Sequence, residues 1–381
     1  MKRDAAIPLP DWSAARKVLL IRLRSIGDTV LMTPCLAALK AMRPEIKITV
    51  VSEPLAAPLV EDHPLVDHLL IAEKSISGRA RLIGQLRRAR YDVAFDLHGG
   101  TTATGLARFA AAGRSVGYAG YRHSRWLDLR APDPDVILGR KQVHSVEQQL
   151  ALLHWSGVPW PAEPPQLSLA VSSAAEQSML EKLEAACVAQ AVSLSGGFAQ
   201  ANSLRHIGRF AVIAPAAAFE SKRWPAAGFA EVVRHLGDRW QLPSVVIGGP
   251  GQEPLAKAVA AQAGALALVG LTLKELVALI NLSRAFVGND GGPMHIAAAL
   301  GRPLVAVFGS SNPEVWHPWT DSPYRIAGGR GPGAGGLSDE ARGQKDTNTP
   351  DADGSFAIQR VPPSAVIAAA DDVLKLALAA S

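Results

Sequence analysis

Twice along the chain a short apolar run ends in a polar, glycine-bearing turn and gives way to a helical stretch. The first series opens with KVLLIRL (Lys17 to Leu23) and the helical VLMTPCLAALKAMRP. It continues through the runs KITVVSE and YDVAFDLHG. The second restarts at FAVIAPAAAF (Phe210 to Phe219) and passes through SVVIGGP, ALALVG, AFVGND and PLVAVFG. Near-continuous apolar runs of this length are what strands covered on both faces look like. Their alternation with helical segments implies βαβ units and parallel sheets. The expected fold is therefore α/β, with two Rossmann-like units whose parallel sheets face a central cleft. A length of 381 residues suits two domains. The expected division is a tail over 1–16, a first unit over 17–192 and a linker over 193–209, which is polar and glycine-containing. A second unit follows over 210–362, then a final helix over 363–381. Within the second unit, Gly328 to Gly354 has almost no large apolar residues and is read as a mobile loop.

Hydrophobic residues make up 48% and charged residues 19%, so each half can bury a core of its own. The two cysteines, Cys35 and Cys187, are far apart and offer neither a disulfide framework nor metal-ligand spacing, which fits a reducing, cytosolic compartment. The start of the chain lacks the apolar core of a signal peptide, and no apolar run reaches membrane-spanning length. The expectation is a soluble protein that can still touch a membrane. The net charge is +5, and the excess is concentrated: Arg79 to Lys141 holds twelve Lys and Arg against five Asp. Such a stretch attracts nucleic acid, anionic lipid or an anionic substrate, or is simply a set of solvated helix faces. No zinc-finger spacing or RNA-binding aromatic signature accompanies it, so no nucleic-acid partner is expected. Arg122 and Arg125 within it are the candidates for holding an anionic acceptor.

Four turns carry candidate chemistry. In GNDGGPMHIAAALGRPLVAVFG (Gly288 to Gly309), Asp290, Gly291, Gly292 and His295 stand where a strand turns into a helix. Such a turn exposes backbone N–H groups at a helix N-terminus, which can bind an anion, or it is only a tight βα turn. RSIGDT places Asp28 after the first strand, either as an N-cap of the next helix or as a carboxylate base. FESKRWP sets Lys222 and Arg223 after the first strand of the second unit, as phosphate ligands or as solvated cations. GGPGQEP brings Glu253, which could accept from a ribose or favour its own helix N-terminus. Taken together, cations, glycines and Asp290 lie on loops of the second unit, and one carboxylate, Asp28, on the first. A nucleotide diphosphate in one unit and a base in the other is the logic of an inverting glycosyl transfer.

The segments LLIRLRSIGDTVLMTP, KRWPAAGFAEVV, VVIGGPGQE and GNDGGPMHIAAALGRPLVAVFGSSNPEVWHPW resemble the lipopolysaccharide heptosyltransferases of glycosyltransferase family 9. Weaker echoes are FDLHGG, VGYAGYR and VHSVEQQLALLHWSGVP. The resemblance spans roughly Lys17 to Trp319 and implies the GT-B fold of two Rossmann-like domains, acceptor-binding then nucleotide-sugar-binding. It also implies transfer of heptose from ADP-L-glycero-D-manno-heptose to the inner core of lipopolysaccharide, a membrane-linked anionic acceptor, on the cytoplasmic side of the inner membrane. The catalytic aspartate of the family falls on Asp28 and its phosphate-binding lysine on Lys222. Its donor-binding turn and histidine fall on Asp290, Gly291, Gly292 and His295. The family works without a metal, and no cofactor is expected.

The chain departs from the family in two places. APAAAFES follows the first strand of the second unit where relatives often carry Gly, Ser or Thr, so backbone groups and Ser221 remain to meet phosphate. The polar Gly328–Gly354 segment replaces a cysteine-containing stretch. Two other readings keep the fold. In one the donor is another nucleotide sugar, or the acceptor is a protein or O-chain; in the other the chain is a nucleotide-sugar-binding module that has lost catalysis. A Rossmann dehydrogenase is disfavoured because RSIGDT lacks the GxGxxG turn.

Overall fold

The computed structural model describes residues 8–193, 210–329 and 356–379. These residues fall into two compact units, divided between Ala170 and Val171. The first is built on a six-stranded sheet. Its strands are β1 (Lys17–Ile21), β2 (Lys47–Ser52), β3 (His68–Ile71), β4 (Tyr91–Asp96), β5 (Ala111–Tyr118) and β6 (Leu129–Ala131). The second sheet holds β7 (Ala211–Ala214), β8 (Ser244–Gly248), β9 (Leu266–Val269), β10 (Ala285–Asn289), β11 (Leu304–Phe308) and β12 (Tyr324–Gly328).

Every strand pair is parallel. The orders are β3-β2-β1-β4-β5-β6 and β12-β11-β10-β7-β8-β9. Read from the first strand of each unit, both follow the doubly wound pattern in which strand order reverses beside that strand. In such sheets ligands bind beyond the carboxyl ends of the strands at the reversal. This singles out the loops after β1 and β4 in the first unit, and after β7 and β10 in the second. The registers set those loops side by side: Ile21 pairs with Asp96, and Ala214 with Gly288. Gly288 has to be glycine, because a Cβ there would lie 2.8 Å from the Phe286 ring and 2.9 Å from Ala214 Cβ.

The strands are stable here because their residues are buried on both faces, as Leu19, Ile21, Val287 and Val305 are. In the first unit Leu82, Leu86, Ala103, Leu106 and Ala107 from two helices pack on β1 and β4. In the second, the helix Ala226–Trp240 buries Phe229, Val232, Val233 and Leu236 against the sheet. The C-terminal helix Pro363–Ala379 adds Val366, Ala370, Val373 and Leu374 to the same core.

The helix Ser173–Ser193, which the sequence reading puts at the end of the first unit, belongs with the second. Its Lys182 donates to Glu275 Oε1 at 2.7 Å, as does Ser178, and Glu176 accepts from Asn281. The remaining linker, 194–209, and the expected mobile loop from residue 330 onward lie outside the described residues. Gly328, where that loop was expected to start, is still part of β12, and its left-handed φ of 82° suits glycine.

Candidate active site

At the reversal point of the first sheet, β1 runs straight into Arg22, whose guanidinium turns back over the strand ends. It donates to the Leu97 carbonyl beyond β4 and forms an ion pair with Asp28 Oδ1. Asp28 is mostly buried, with 16% of its side chain exposed. The helix that carries it starts earlier than the sequence suggested, at Ile26. Ser25 is its N-cap, accepting from Asp28 N at 3.1 Å and donating to Asp28 Oδ2 at 2.8 Å. The expected alternative of Asp28 as N-cap is thus corrected: the cap is Ser25, and Asp28 stands three residues into the helix. Ser25 has φ of 62°, a conformation that side-chain-bearing residues rarely adopt, and it is held there with its hydroxyl on Asp28.

Burial on its own would raise the Asp28 pKa. The Arg22 charge, then the Ser25 hydrogen bond and His98, outweigh it and hold the carboxyl below its ordinary value. His98, just past β4, is pushed down to about 4, first by burial and then by Arg22, so it is neutral at physiological pH. Asp96, the last residue of β4, is fully buried. Its oxygens accept from His98 N at 3.0 Å, Gly99 N at 2.8 Å and Thr104 Oγ1 at 2.7 Å. Burial still pushes its pKa up to about 6 against those donors. Asp96 therefore fixes the loop after β4, while Asp28 is the carboxylate that keeps some exposure. Arg22, Ser25, Asp96 and His98 were not foreseen. Arg22 lies inside an apolar run, and nothing in the pattern shows that its head folds back.

The second reversal point gathers Lys222 and Asp290. Lys222 Nζ donates to Asp290 Oδ2 at 2.8 Å, with the aspartate 4% and the lysine 25% exposed. Asp290 follows β10 directly, and its backbone N–H donates to the Val307 carbonyl. Gly291, with an extended backbone, is the N-cap of the helix Gly292–Ala299. Gly292 is its first residue, and His295 is buried in its first turn. Four of the expected donor residues thus share one βα turn with the Lys222 contact. Glu253 is the first residue of the neighbouring helix, Glu253–Ala263, after β8.

The Lys222 loop is tied down by residues not singled out beforehand. Asn289, buried at the end of β10, accepts from Trp224 N at 3.2 Å and donates to the Pro215 carbonyl at 2.8 Å. It thereby clasps both ends of the segment that follows β7. Gln252 donates to the Ala217 carbonyl at 3.1 Å. The indole of Trp224 donates to the Val361 carbonyl at 2.8 Å and meets Phe229 edge-on, with centroids 4.9 Å apart. The three alanines Ala216 to Ala218 contribute no hydroxyl, as read from the sequence.

Arg122 and Arg125 are exposed beyond β5, the strand next to β4. They flank His123 and Trp126, whose rings stack at 4.5 Å. Among the described residues no group of three or more His, Cys, Asp or Glu is arranged to hold a metal ion. The Asp133-Pro134-Asp135 spacing serves the short helix Pro134–Leu138, as its N-cap position and its first turn.

Residues 79–332 match the family described as glycosyltransferase family 9 (heptosyltransferase). Over 92% of its length the chain is 27% identical to lipopolysaccharide heptosyltransferase 3 of Escherichia coli, of which 97% is covered. It is 29% identical to lipopolysaccharide heptosyltransferase 2 of Salmonella typhimurium, over 79% of this chain and 85% of that one. The solved structure of E. coli ADP-heptose LPS heptosyltransferase II superposes with a TM-score of 0.72 at 24% identity, covering 96% of this chain and 99% of that one. That likeness concerns the fold, two doubly wound domains of the GT-B kind.

Proposed function

The chain belongs to glycosyltransferase family 9, and on that premise we propose that it transfers heptose from ADP-L-glycero-D-manno-heptose to the inner core of lipopolysaccharide. The observation that carries the reading is the placement of Asp28 and Lys222, each at the reversal point of its own sheet, where such folds bind ligands. Supporting it, two relatives named as lipopolysaccharide heptosyltransferases match over most of this chain.

In this reading the diphosphate of the donor meets Lys222 and the N–H groups that open the helix Gly292–Ala299. The aligned backbone dipoles and the ammonium offset charge that grows on the departing ADP. Asp290 orients Lys222, His295 lines the same turn, and Glu253 faces the ribose. Asp28, kept ionised by Arg22, takes the proton of the acceptor hydroxyl as it attacks, and a single attack inverts the anomeric centre. No metal takes part in this reading. Arg122 and Arg125 hold anionic groups of the acceptor, which is reached by transient contact with the inner face of the inner membrane. The enzyme is cytoplasmic in this reading.

The test is a transfer assay with ADP-heptose and a heptose-deficient lipopolysaccharide core, following release of ADP and the anomeric configuration of the product. A thermal-shift panel of ADP-, UDP-, GDP- and dTDP-sugars identifies the donor. Stabilisation by a UDP- or GDP-sugar but not by ADP-heptose would overturn the donor assignment. A product with retained configuration would overturn the mechanism.

A further inference from the structure

The helix Ile76–Ala89 of the first unit turns a largely exposed, cationic face outward. Gly78, Leu82 and Leu86 point inward and are buried. On the other side Ile76, 88% exposed, is followed one turn on by the exposed Arg79 and Ala80 and three turns on by the exposed Arg87, while Ile83 between them is partly buried against the core. Along a helix these positions form one stripe. Arg81 and Arg88 stand beside it. From Lys74 to Arg90 the chain carries six cations and no acid. The nearest acidic partner is Glu73, 3.5 Å from Arg81 in an exposed pair.

The adjacent helix Gly100–Ala110 extends the same surface. Its Phe109 is 46% exposed, and the Arg87 guanidinium lies over its ring, 4.9 Å from the centroid. Arg108 beside it is also exposed. Apolar side chains flanked by arginines with long flexible stems are suited to an interface between hydrocarbon and anionic headgroups. There the apolar groups enter and the charged heads stay at the headgroup level. A soluble anion would need only the charges, so Ile76 and Phe109 favour a bilayer over a free polyanion. No helix among the described residues is long and apolar enough to cross a membrane, so contact through this face would be peripheral.

We propose that the surface formed by Ile76, Arg79, Arg87, Arg88 and Phe109 docks the protein on a bilayer containing anionic phospholipid. The proposal deepens the reading of a lipid-linked acceptor. Its test uses neither donor nor acceptor, so it can fail while the transferase reading stands.

The full-length protein is sedimented with vesicles of phosphatidylethanolamine mixed with phosphatidylglycerol, and with vesicles of phosphatidylcholine alone. Binding is expected only to the anionic vesicles, weakening as salt is raised. Arg79→Glu, Arg87→Glu and Arg88→Glu together should abolish it. Each arginine replaced singly by Gln should weaken binding roughly fivefold. Ile76→Ser with Phe109→Ser should also weaken binding while leaving the salt dependence in place. Unchanged melting temperatures in these surface variants exclude unfolding as the cause. Absence of binding to anionic vesicles, or equal binding to both vesicle types, would overturn the proposal. So would full binding by the Ile76/Phe109 variant, which would mean that charge alone is recognised.

Discussion

The Lys222 ammonium lies 2.8 Å from an Asp290 carboxylate oxygen, and the aspartate is the more deeply buried of the two. The pair joins the loop after β7 to the turn after β10, so it positions the lysine and also holds the two loops together. Lys222→Ala removes the cation and leaves a buried carboxylate without its ammonium. Breaking one side of a buried pair typically costs about 3–5 kcal/mol, and the partial exposure of Lys222 puts the expected loss at the lower end. Turnover should fall further than stability explains, since a lost donor to developing charge is worth about 2.7–4 kcal/mol. Adding Asp290→Asn to Lys222→Ala should recover much of the melting temperature and none of the turnover. Recovery of turnover in the double variant would remove Lys222 from the chemistry.

Asn289 should prove to be a positioning residue for the same loop. Its amide satisfies Trp224 N and the Pro215 carbonyl, both buried. In Asn289→Ala both backbone groups lose their partner, at about 1–3 kcal/mol each. The melting temperature should drop, and the donor KM should rise more than kcat falls. Asn289→Asp keeps the acceptor for Trp224 N, so a partial return of donor affinity at equal stability would distinguish positioning from mere packing. Donor affinity unchanged in both variants would refute the role.

How far the sequence discloses this arrangement depends on what each residue does. The central strands β1, β7, β10 and β11 are legible as nearly continuous apolar runs because both their faces are covered, and β4 is legible despite Asp92 and Asp96. The edge strand β3 (His68–Ile71) is only half-buried, and β5 contains Gly113, Arg114 and Ser115, so neither shows that signature. The Asp290 turn is legible because a βα turn needs small residues. The helix start at Ile26 is not, because Gly27 reads as a turn and the capping is done by Ser25 in an unusual backbone conformation. Contacts such as Arg22 with Leu97, or Asn289 with Pro215, join loops that only the parallel register brings together. No local pattern encodes them.

Glu275 offers a test of charge within the second unit. It caps the helix Leu273–Leu282 with Thr272 and pairs with Lys182. Burial would raise its pKa, but Lys182, Ser178 and Thr272 outweigh burial and lower it from 4.5 to about 2. A depressed carboxyl contributes stability above its unfolded pKa and loses it as pH falls through the folded one. With Lys182 44% exposed, screening reduces the contribution to about 1 kcal/mol. The gap in melting temperature between wild type and Glu275→Gln should therefore be full at neutral pH and close between pH 4.5 and about 2. A gap independent of pH would show that the ion pair contributes nothing.

The last prediction concerns Asp28 and the arginine that holds it. An acceptor hydroxyl is a weak nucleophile at neutral pH, so a base must accept its proton as the new bond forms. Arg22 keeps Asp28 ionised, which makes the base available at all ordinary pH values and also lowers its proton affinity. Asp28→Asn preserves size and its backbone N–H, and Ser25 remains the cap, so the helix should form. The amide nevertheless loses the charge that Arg22 pairs with, and a modest drop in melting temperature is expected. Turnover should fall roughly 10²–10⁴-fold, the usual range for a lost general base, with donor affinity retained. Arg22→Gln separates the two functions of the pair. It should shift the acid limb of the kcat profile to higher pH, because the carboxyl loses its strongest charge stabilisation while burial still acts to raise its pKa. A purely structural Asp28 would instead leave turnover near normal in Asp28→Asn, and Arg22→Gln would change stability without moving the acid limb. That pair of results would end the case for Asp28 as the base.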